Sequence, residues 1–215
     1  MLAGMEQAAV LVHGIWMTGL EMAPLAWRLR RCGFIPRTFH YPSVRRAPRE
    51  NAARLDAFLA TLPEPVIHLV GHSLGGIVVA HLFDAFPDQK PGRVVMLGAP
   101  LRGSAVAARL ARTPWGRAIL GRSVEQGLLG GAPRWHGARD LGLIAGTRSL
   151  GVGTLVALGR LPRPNDGTVE LAATRCDGAR EHLVVRHSHF GMLYARDVAA
   201  AVCDFLHHGR FQAAA

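Results

Sequence analysis

Lysine is almost missing from this sequence: Lys90 stands alone, and the other members of its 25 basic residues are arginines. Those arginines are spread from Arg28 to Arg210, with no like-charge run longer than Arg30-Arg31 or Arg45-Arg46. A formal net charge of +10 directs attention to nucleic acids and anionic membranes as partners. The scatter, and the lack of a basic motif interleaved with aromatics, favour a solvated basic surface instead, so no nucleic-acid partner is expected. Cysteine is equally scarce. Cys32, Cys176 and Cys203 are odd in number, far apart and without a C-x-x-C pair. That pattern speaks against a disulfide framework and a thiolate zinc site, and leads to the expectation of a reducing, cytoplasmic compartment. No apolar run reaches the roughly 18 to 20 residues that cross a bilayer. The start, Met1 to Gln7, lacks a basic stretch ahead of a long apolar segment, so no signal peptide is expected. Internal repeats and low-complexity linkers are missing as well, which excludes a solenoid.

Apolar segments are plentiful, and their order is informative. Hydrophobic residues form 49% of the chain and charged residues 19%, a globular rather than a disordered balance. Short extended runs at Ala8–Val12, Phe34–Tyr41, Pro65–Val70, Arg93–Leu97, Leu141–Ala145 and His182–Val185 alternate with helical spacings. Leu55, Phe58, Leu59 and Leu62 form one such spacing; Val198, Ala201, Val202, Phe205 and Leu206 form another. This alternation predicts one wound α/β domain over residues 1–215, with about six mostly parallel strands flanked by helices. Leu101 to Arg139 breaks the alternation. Ser104 and Thr113-Pro114 read there as caps of short helices, and the segment reads as a cover (101–139) over one end of the sheet. Ser149 to Asn165, rich in glycine and proline, reads as a long loop.

The chemistry concentrates in Val66-Ile67-His68-Leu69-Val70-Gly71-His72-Ser73-Leu74-Gly75-Gly76-Ile77-Val78-Val79, an apolar strand, a G-x-S-x-G turn and an apolar helix. A serine that attacks a carbonyl needs an exposed Oγ, which a sharp strand-to-helix turn supplies. Gly71 and Gly75 leave room where a Cβ would meet backbone, with His72 supporting the elbow. The positive end of the following helix lies at Ser73, so the Leu74 N–H is placed to donate to a developing oxyanion. Serine at its ordinary pKa is a poor nucleophile, so a histidine base oriented by a carboxylate is required, in chain order Ser, acid, His. His189 falls in the loop after the last strand, whereas its competitor His187 continues the strand register. Asp166, in Asn165-Asp166-Gly167, sits between the right two strands; Glu170 and Asp140 are the substitutes, Asp140 preceding its strand at the wrong end of the sheet. His187, His189, His207 and His208 have no spacing that joins a carboxylate to two of them on one face, so neither metal nor cofactor is expected.

With His13-Gly14, Gly71-His72-Ser73-Leu74-Gly75-Gly76, Leu97-Gly98-Ala99-Pro100, Asn165-Asp166-Gly167 and His189-Phe190-Gly191 on one chain, the sequence resembles a small serine-dependent α/β-hydrolase of the bacterial lipase and esterase type. The resemblance runs from Val10 to Leu206. It implies an α/β-hydrolase fold with a minimal N-terminal side, in which the first two strands of the full fold are missing. It also implies Ser73, Asp166 and His189 as the catalytic residues of an acyl-enzyme mechanism. By the same resemblance the residue after the His-Gly loop, Ile15, gives its backbone N–H to the oxyanion hole beside Leu74, while His13 and Gly14 fix that loop. The implied substrate is a small-molecule or lipid ester. The apolar residues and arginines of Leu101 to Arg139 fit two readings, a cover that receives an acyl chain and transiently meets an anionic lipid surface, or a packed surface excursion with solvated arginines. An acyltransferase or non-hydrolytic member of the fold and, further off, a basic binding module are the alternatives.

Overall fold

The computed structural model describes residues 5–136, 139–150 and 161–212. Six strands, β1 (Gln7–Val12), β2 (Ile35–Phe39), β3 (Val66–His72), β4 (Val94–Leu97), β5 (Leu141–Gly146) and β6 (Glu181–Val185), form one sheet in the order β2-β1-β3-β4-β5-β6. Every neighbouring pair is parallel, with Val10 opposite Arg37 on one side and Leu69 on the other. The expected "mostly parallel" sheet is therefore wholly parallel among the described residues.

Parallel strands need crossovers, and those from β1 to β5 carry helices: α1 (Ala23–Arg31), α2 (Pro48–Ala60), α3 (Leu74–Ala85) and the short α4 (Ala105–Leu110) and α5 (Pro114–Leu120). After β6 the chain ends in α6 (Gly191–Tyr194) and α7 (Arg196–His208). Side chains of a strand alternate between faces, so β1 supplies both cores. Ala8, Val10 and Val12 pack with Leu55 and Leu59 of α2 and Val78, Val79 and Leu82 of α3. Ala9 and Leu11 pack on the opposite face with Leu25 and Leu29 of α1 and Val198, Val202 and Phe205 of α7. β3 is buried along its whole length, as its unbroken apolar run requires of a central parallel strand.

The chain leaves β1 toward β2 on one side, and β3 returns on the other. The C-terminal ends of β1 and β3 therefore flank the switch point of the sheet, where open α/β sheets place ligands. The loop after β1 carries His13-Gly14-Ile15, and the turn after β3 carries Ser73. Within residues 101–136 the chain forms two short helices, α4 and α5, where the caps were expected. Ser104 accepts a hydrogen bond from Ala107 N at 3.2 Å, and Thr113 Oγ1 accepts one from Gly116 N at 3.0 Å. Ala107, Leu120 and Leu128 pack on Leu74 and Ile77 at the start of α3, which seats the segment beside Ser73. Part of the loop read over 149–165, residues 151–160, lies outside the described residues.

One sequence expectation fails. Cys32 and Cys203 form a disulfide with Cα atoms 6.2 Å apart, leaving only Cys176 free. Cys32 closes the C-terminal end of α1 and Cys203 lies in α7, both on the same face of the sheet. A sequence separation of 171 residues hid a pair that the packing of α1 on α7 brings together. The expected reducing, cytoplasmic compartment thereby loses the unpaired thiols on which it rested. Among the described residues no helix is long and apolar enough to cross a membrane.

Candidate active site

Ser73 occupies the sharp turn from β3 into α3 at φ 53° and ψ −122°, a conformation rare for a residue with a Cβ. The strain has visible anchors: Ser73 N donates to Leu97 O of β4 at 2.8 Å, and its carbonyl accepts from Gly76 N at 3.0 Å. A Cβ at Gly75 would stand 2.1 Å from Val12 O, and one at Gly71 2.7 Å from Gly76 N. Both positions therefore require the absence of a side chain, since backbone cannot yield as a flexible side chain does. Ser73 Oγ makes no hydrogen bond among the described residues. The Leu74 N–H opens α3 and so has no intrahelical acceptor; the Ile15 N–H across from it is likewise unbonded among the described residues.

The loop that carries Ile15 is clamped. His13 is fully buried and stacks on Tyr41 with ring centroids 4.3 Å apart. The Tyr41 hydroxyl donates to His13 O at 2.6 Å, and His13 Nδ1 bonds Gly14 O at 2.8 Å. Burial lowers the His13 pKa and raises that of Tyr41, so both stay neutral around pH 7. His13 is thus a structural post of the loop. Gly14 N donates to Met17 Sδ at 3.3 Å, and a Cβ at Gly14 would lie 3.1 Å from His72 Nδ1 and 3.2 Å from Ser73 Cβ, so glycine lets the two loops approach.

On the other side, His189 Nδ1 and Asp166 Oδ2 are 2.7 Å apart and both side chains are almost wholly buried. Asp166 Oδ1 accepts from Thr168 N at 2.9 Å and Val169 N at 2.7 Å, which fixes the carboxylate plane. The loop itself is tied by Asn165, whose amide donates to Leu161 O and Pro162 O and whose oxygen accepts from Gly167 N at 2.9 Å. Main chain joins the two residues as well, His189 N donating to Asp166 O at 2.9 Å. Gly98, after β4, makes space for the pair: a Cβ there would lie 3.0 Å from His189 Nδ1 and 3.1 Å from Asp166 Oδ2. His72, next to Ser73, donates from Nε2 to His189 O at 3.2 Å. Its Nδ1 is buried without a partner, and burial foremost, then the neighbouring His189, pushes its pKa well below the usual histidine range.

The competing residues lie elsewhere. His187 pairs with Asp197 at 2.8 Å on the surface, and Asp140 is bound by Arg93 and Arg180 at the opposite end of β5. Glu170 lies close by, its main chain bridging to Asn165 and its carboxylate taking the Ala105 N–H. It is buried with Oε1 unpartnered, and burial raises its pKa.

Ser73 and His189 open into one apolar cavity of about 140 Å³. Its walls are Ile15, Trp16 and Met17 after β1, Val106 and Leu110 of α4, and Thr168 and Phe190 beside the buried pair. Met17, Thr168 and Phe190 were not singled out from sequence as wall residues. Phe190 carried the only signal, as the residue following His189.

The fold is shared with solved structures. The chain is similar to a lipase of Bacillus licheniformis, BlEst2, in its mature form, with 21% identity, a TM-score of 0.70, and coverage of 97% of this chain and 94% of that one. It is similar to a metagenomic carboxyl esterase, MGS0156, with 20% identity and a TM-score of 0.68, covering 87% of this chain and 65% of that one. A carboxylesterase of Bacillus subtilis, CesB, shares 14% identity at a TM-score of 0.59, with 96% and 85% covered. No curated protein sequence matches the chain. The model of the alpha/beta hydrolase family matches residues 9–206, nearly the whole chain, and the protein belongs to that family.

Proposed function

We propose that this protein hydrolyses carboxylic esters of short acyl chains through a Ser73 acyl-enzyme. The observation that carries the reading is the buried Asp166–His189 contact of 2.7 Å beside a positive-φ Ser73, all at one apolar cavity. Asp166 holds the proton of His189 on Nδ1, leaving Nε2 unprotonated toward the cavity. As substrate closes the Ser73 Oγ to Nε2 gap, His189 takes the hydroxyl proton and Oγ bonds the ester carbonyl carbon. The carbonyl oxygen, now negative, receives the N–H groups of Ile15 and Leu74 at the positive end of α3. His189 then gives its proton to the leaving alcohol. Water then gives a proton to the same nitrogen as its oxygen bonds the acyl carbon, and as the carbon–Oγ bond breaks His189 returns that proton to Ser73 Oγ, freeing the acid and restoring the enzyme.

Size supports short acyl chains. An apolar cavity of about 150 Å³ holds a benzene-sized guest. The cavity here, about 140 Å³, accordingly suits an acyl chain of about four to six carbons. Val106 and Leu110 of α4 form its roof, which gives segment 101–139 the role of an acyl-site cover. The lipase and carboxylesterase neighbours support an ester substrate. The Cys32–Cys203 bond supports folding in an oxidising compartment rather than the cytoplasm.

The test is kcat/KM for p-nitrophenyl esters from acetate to palmitate, on wild type and Ser73→Ala. A maximum at butanoate or hexanoate, lost in the variant, is the expected result. A maximum at palmitate would overturn the size argument, and turnover that survives in Ser73→Ala would overturn the nucleophile.

A further inference from the structure

The cavity mouth is bordered by exposed apolar side chains rather than by polar ones. Trp16, in the cavity wall, is 52% exposed, and its indole N–H donates to Ile119 O of α5 at 2.9 Å. Ile119 is 51% exposed, and Trp115, one turn earlier on the same side of α5, is 82% exposed. An indole left that far in water is unusual for a residue with no partner.

Immediately past α5 the charge changes character. Arg122 N donates to Val44 O at 2.9 Å, which joins the end of α5 to the loop before α2. There Arg45, Arg46, Arg54 and Arg122 surround an open hollow of about 550 Å³ containing a single carboxylate, Glu50. Glu50 is engaged by Arg122 at 2.7 Å and by Arg46 at 3.9 Å. Arg45 and Arg54 have neither an ion pair nor a side-chain hydrogen bond among the described residues. Two uncommitted guanidinium groups thus stand next to two exposed indoles, on the side where the cavity opens.

We propose that this side, comprising Trp16, Trp115, Ile119 and the Arg45–Arg54 hollow, docks on an anionic phospholipid surface and turns the cavity mouth toward it. Tryptophan is enriched at the membrane interface, where its ring lies among headgroups, and arginine pairs bidentately with phosphate. A soluble polyanion would satisfy the arginines but leave Trp115 and Ile119 in water; a lipid interface covers both. The inference takes its orientation from the proposed ester hydrolysis, since amphiphilic esters partition into such interfaces. The binding itself is measured without turnover, so the two readings fail separately.

The experiment uses the full chain and vesicles of ether-linked lipids, which cannot be hydrolysed. Sedimentation is measured with phosphatidylglycerol and phosphatidylcholine in equal parts, and with phosphatidylcholine alone. Wild type is expected to bind the anionic vesicles, to shift its tryptophan emission to the blue, and to release at high salt. Arg45→Ser/Arg54→Ser is expected to weaken binding by about 30-fold. Trp115→Ser is expected to lose most of the emission shift. All of these variants should keep wild-type turnover of a soluble acetate ester, which also reports that they fold. Equal binding to neutral vesicles, or anionic binding that the variants leave unchanged, would overturn the proposal. So would binding of inorganic phosphate or an oligonucleotide, lost in the arginine variant, without any vesicle binding.

Discussion

Replacing Asp166 by asparagine exchanges one carboxylate oxygen for an NH2 group and should nearly abolish turnover. The remaining oxygen can keep the bonds that Oδ1 accepts from Thr168 N and Val169 N at 2.9 and 2.7 Å, so the loop has no reason to move. The new amide nitrogen then lies where Oδ2 was, 2.7 Å from His189 Nδ1. An amide nitrogen only donates, so His189 must offer it the Nδ1 lone pair and carry its proton on Nε2. That is the nitrogen required to accept the Ser73 proton. In a serine hydrolase with this arrangement the wrong tautomer costs roughly ten-thousand-fold in kcat. Folding should suffer little: exchanging a charge-assisted hydrogen bond for a neutral one costs about 1 to 2 kcal/mol, or a few degrees of Tm. The assay is p-nitrophenyl butanoate turnover alongside thermal melting, with Asp140→Asn and Glu170→Gln as comparisons, both expected within a few-fold of wild type. A folded Asp166→Asn protein with kcat within tenfold of wild type would refute the reasoning, and a collapse in Glu170→Gln alone would transfer the role to Glu170.

Further consequences concern packing, specificity and pH. Gly75→Ala places a Cβ 2.1 Å from Val12 O, so a loss of more than about 3 kcal/mol is expected in a urea titration; an unchanged midpoint would contradict the elbow packing. Val106→Phe adds a ring to the wall of the 140 Å³ cavity, and the hexanoate-to-acetate ratio of kcat/KM should fall by about tenfold or more. Cys32→Ser/Cys203→Ser opens a cross-link spanning 171 residues, which chain entropy values at about 5 kcal/mol; it should lower the urea midpoint to a level that reducing agent also produces in wild type. His68 is buried between Gln7 and the Arg93 N–H, and burial, then nearby arginines, depress its pKa to about 3. Its folded pKa lies below the unfolded value of 6.5, so the native state binds fewer protons and stability falls as pH drops from about 6.5 toward 3. The slope from this residue approaches about 1.4 kcal/mol per pH unit, and His68→Gln should flatten it.

Strand and helix identities were readable because burial dictates sequence here. β3 is enclosed on both faces and reads as an unbroken apolar run, while α7 turns Val198, Val202 and Phe205 inward at helical spacing. The turn at Ser73 was readable for a steric reason: glycine at 71 and 75 marks where backbone passes within 3 Å of the missing Cβ. Asp166 and His189 could be proposed from their places after strands, because a parallel sheet gathers the loops at its C-terminal edge. Other features depend on distances that sequence does not encode. Nothing in the separation of Cys32 from Cys203 announces that α1 and α7 share a face of the sheet. Tyr41 gives no sign that it stacks on His13, nor Arg45 and Arg54 that they meet Arg122 across a hollow. Gly98 belongs to the Leu97-Gly98-Ala99-Pro100 stretch that resembles the family, but its use, leaving room for the Asp166–His189 pair, appears only in three dimensions.

The central claim is that Ser73 is an activated nucleophile. Its most direct test is reaction of the folded protein with a fluorophosphonate, followed by mass mapping of the adduct in wild type, Ser73→Ala and Asp166→Asn. One stoichiometric adduct on Ser73 is expected, with none in Ser73→Ala and labelling slowed by orders of magnitude in Asp166→Asn. A folded wild-type protein that stays unlabelled, or an adduct on another residue, would contradict that claim.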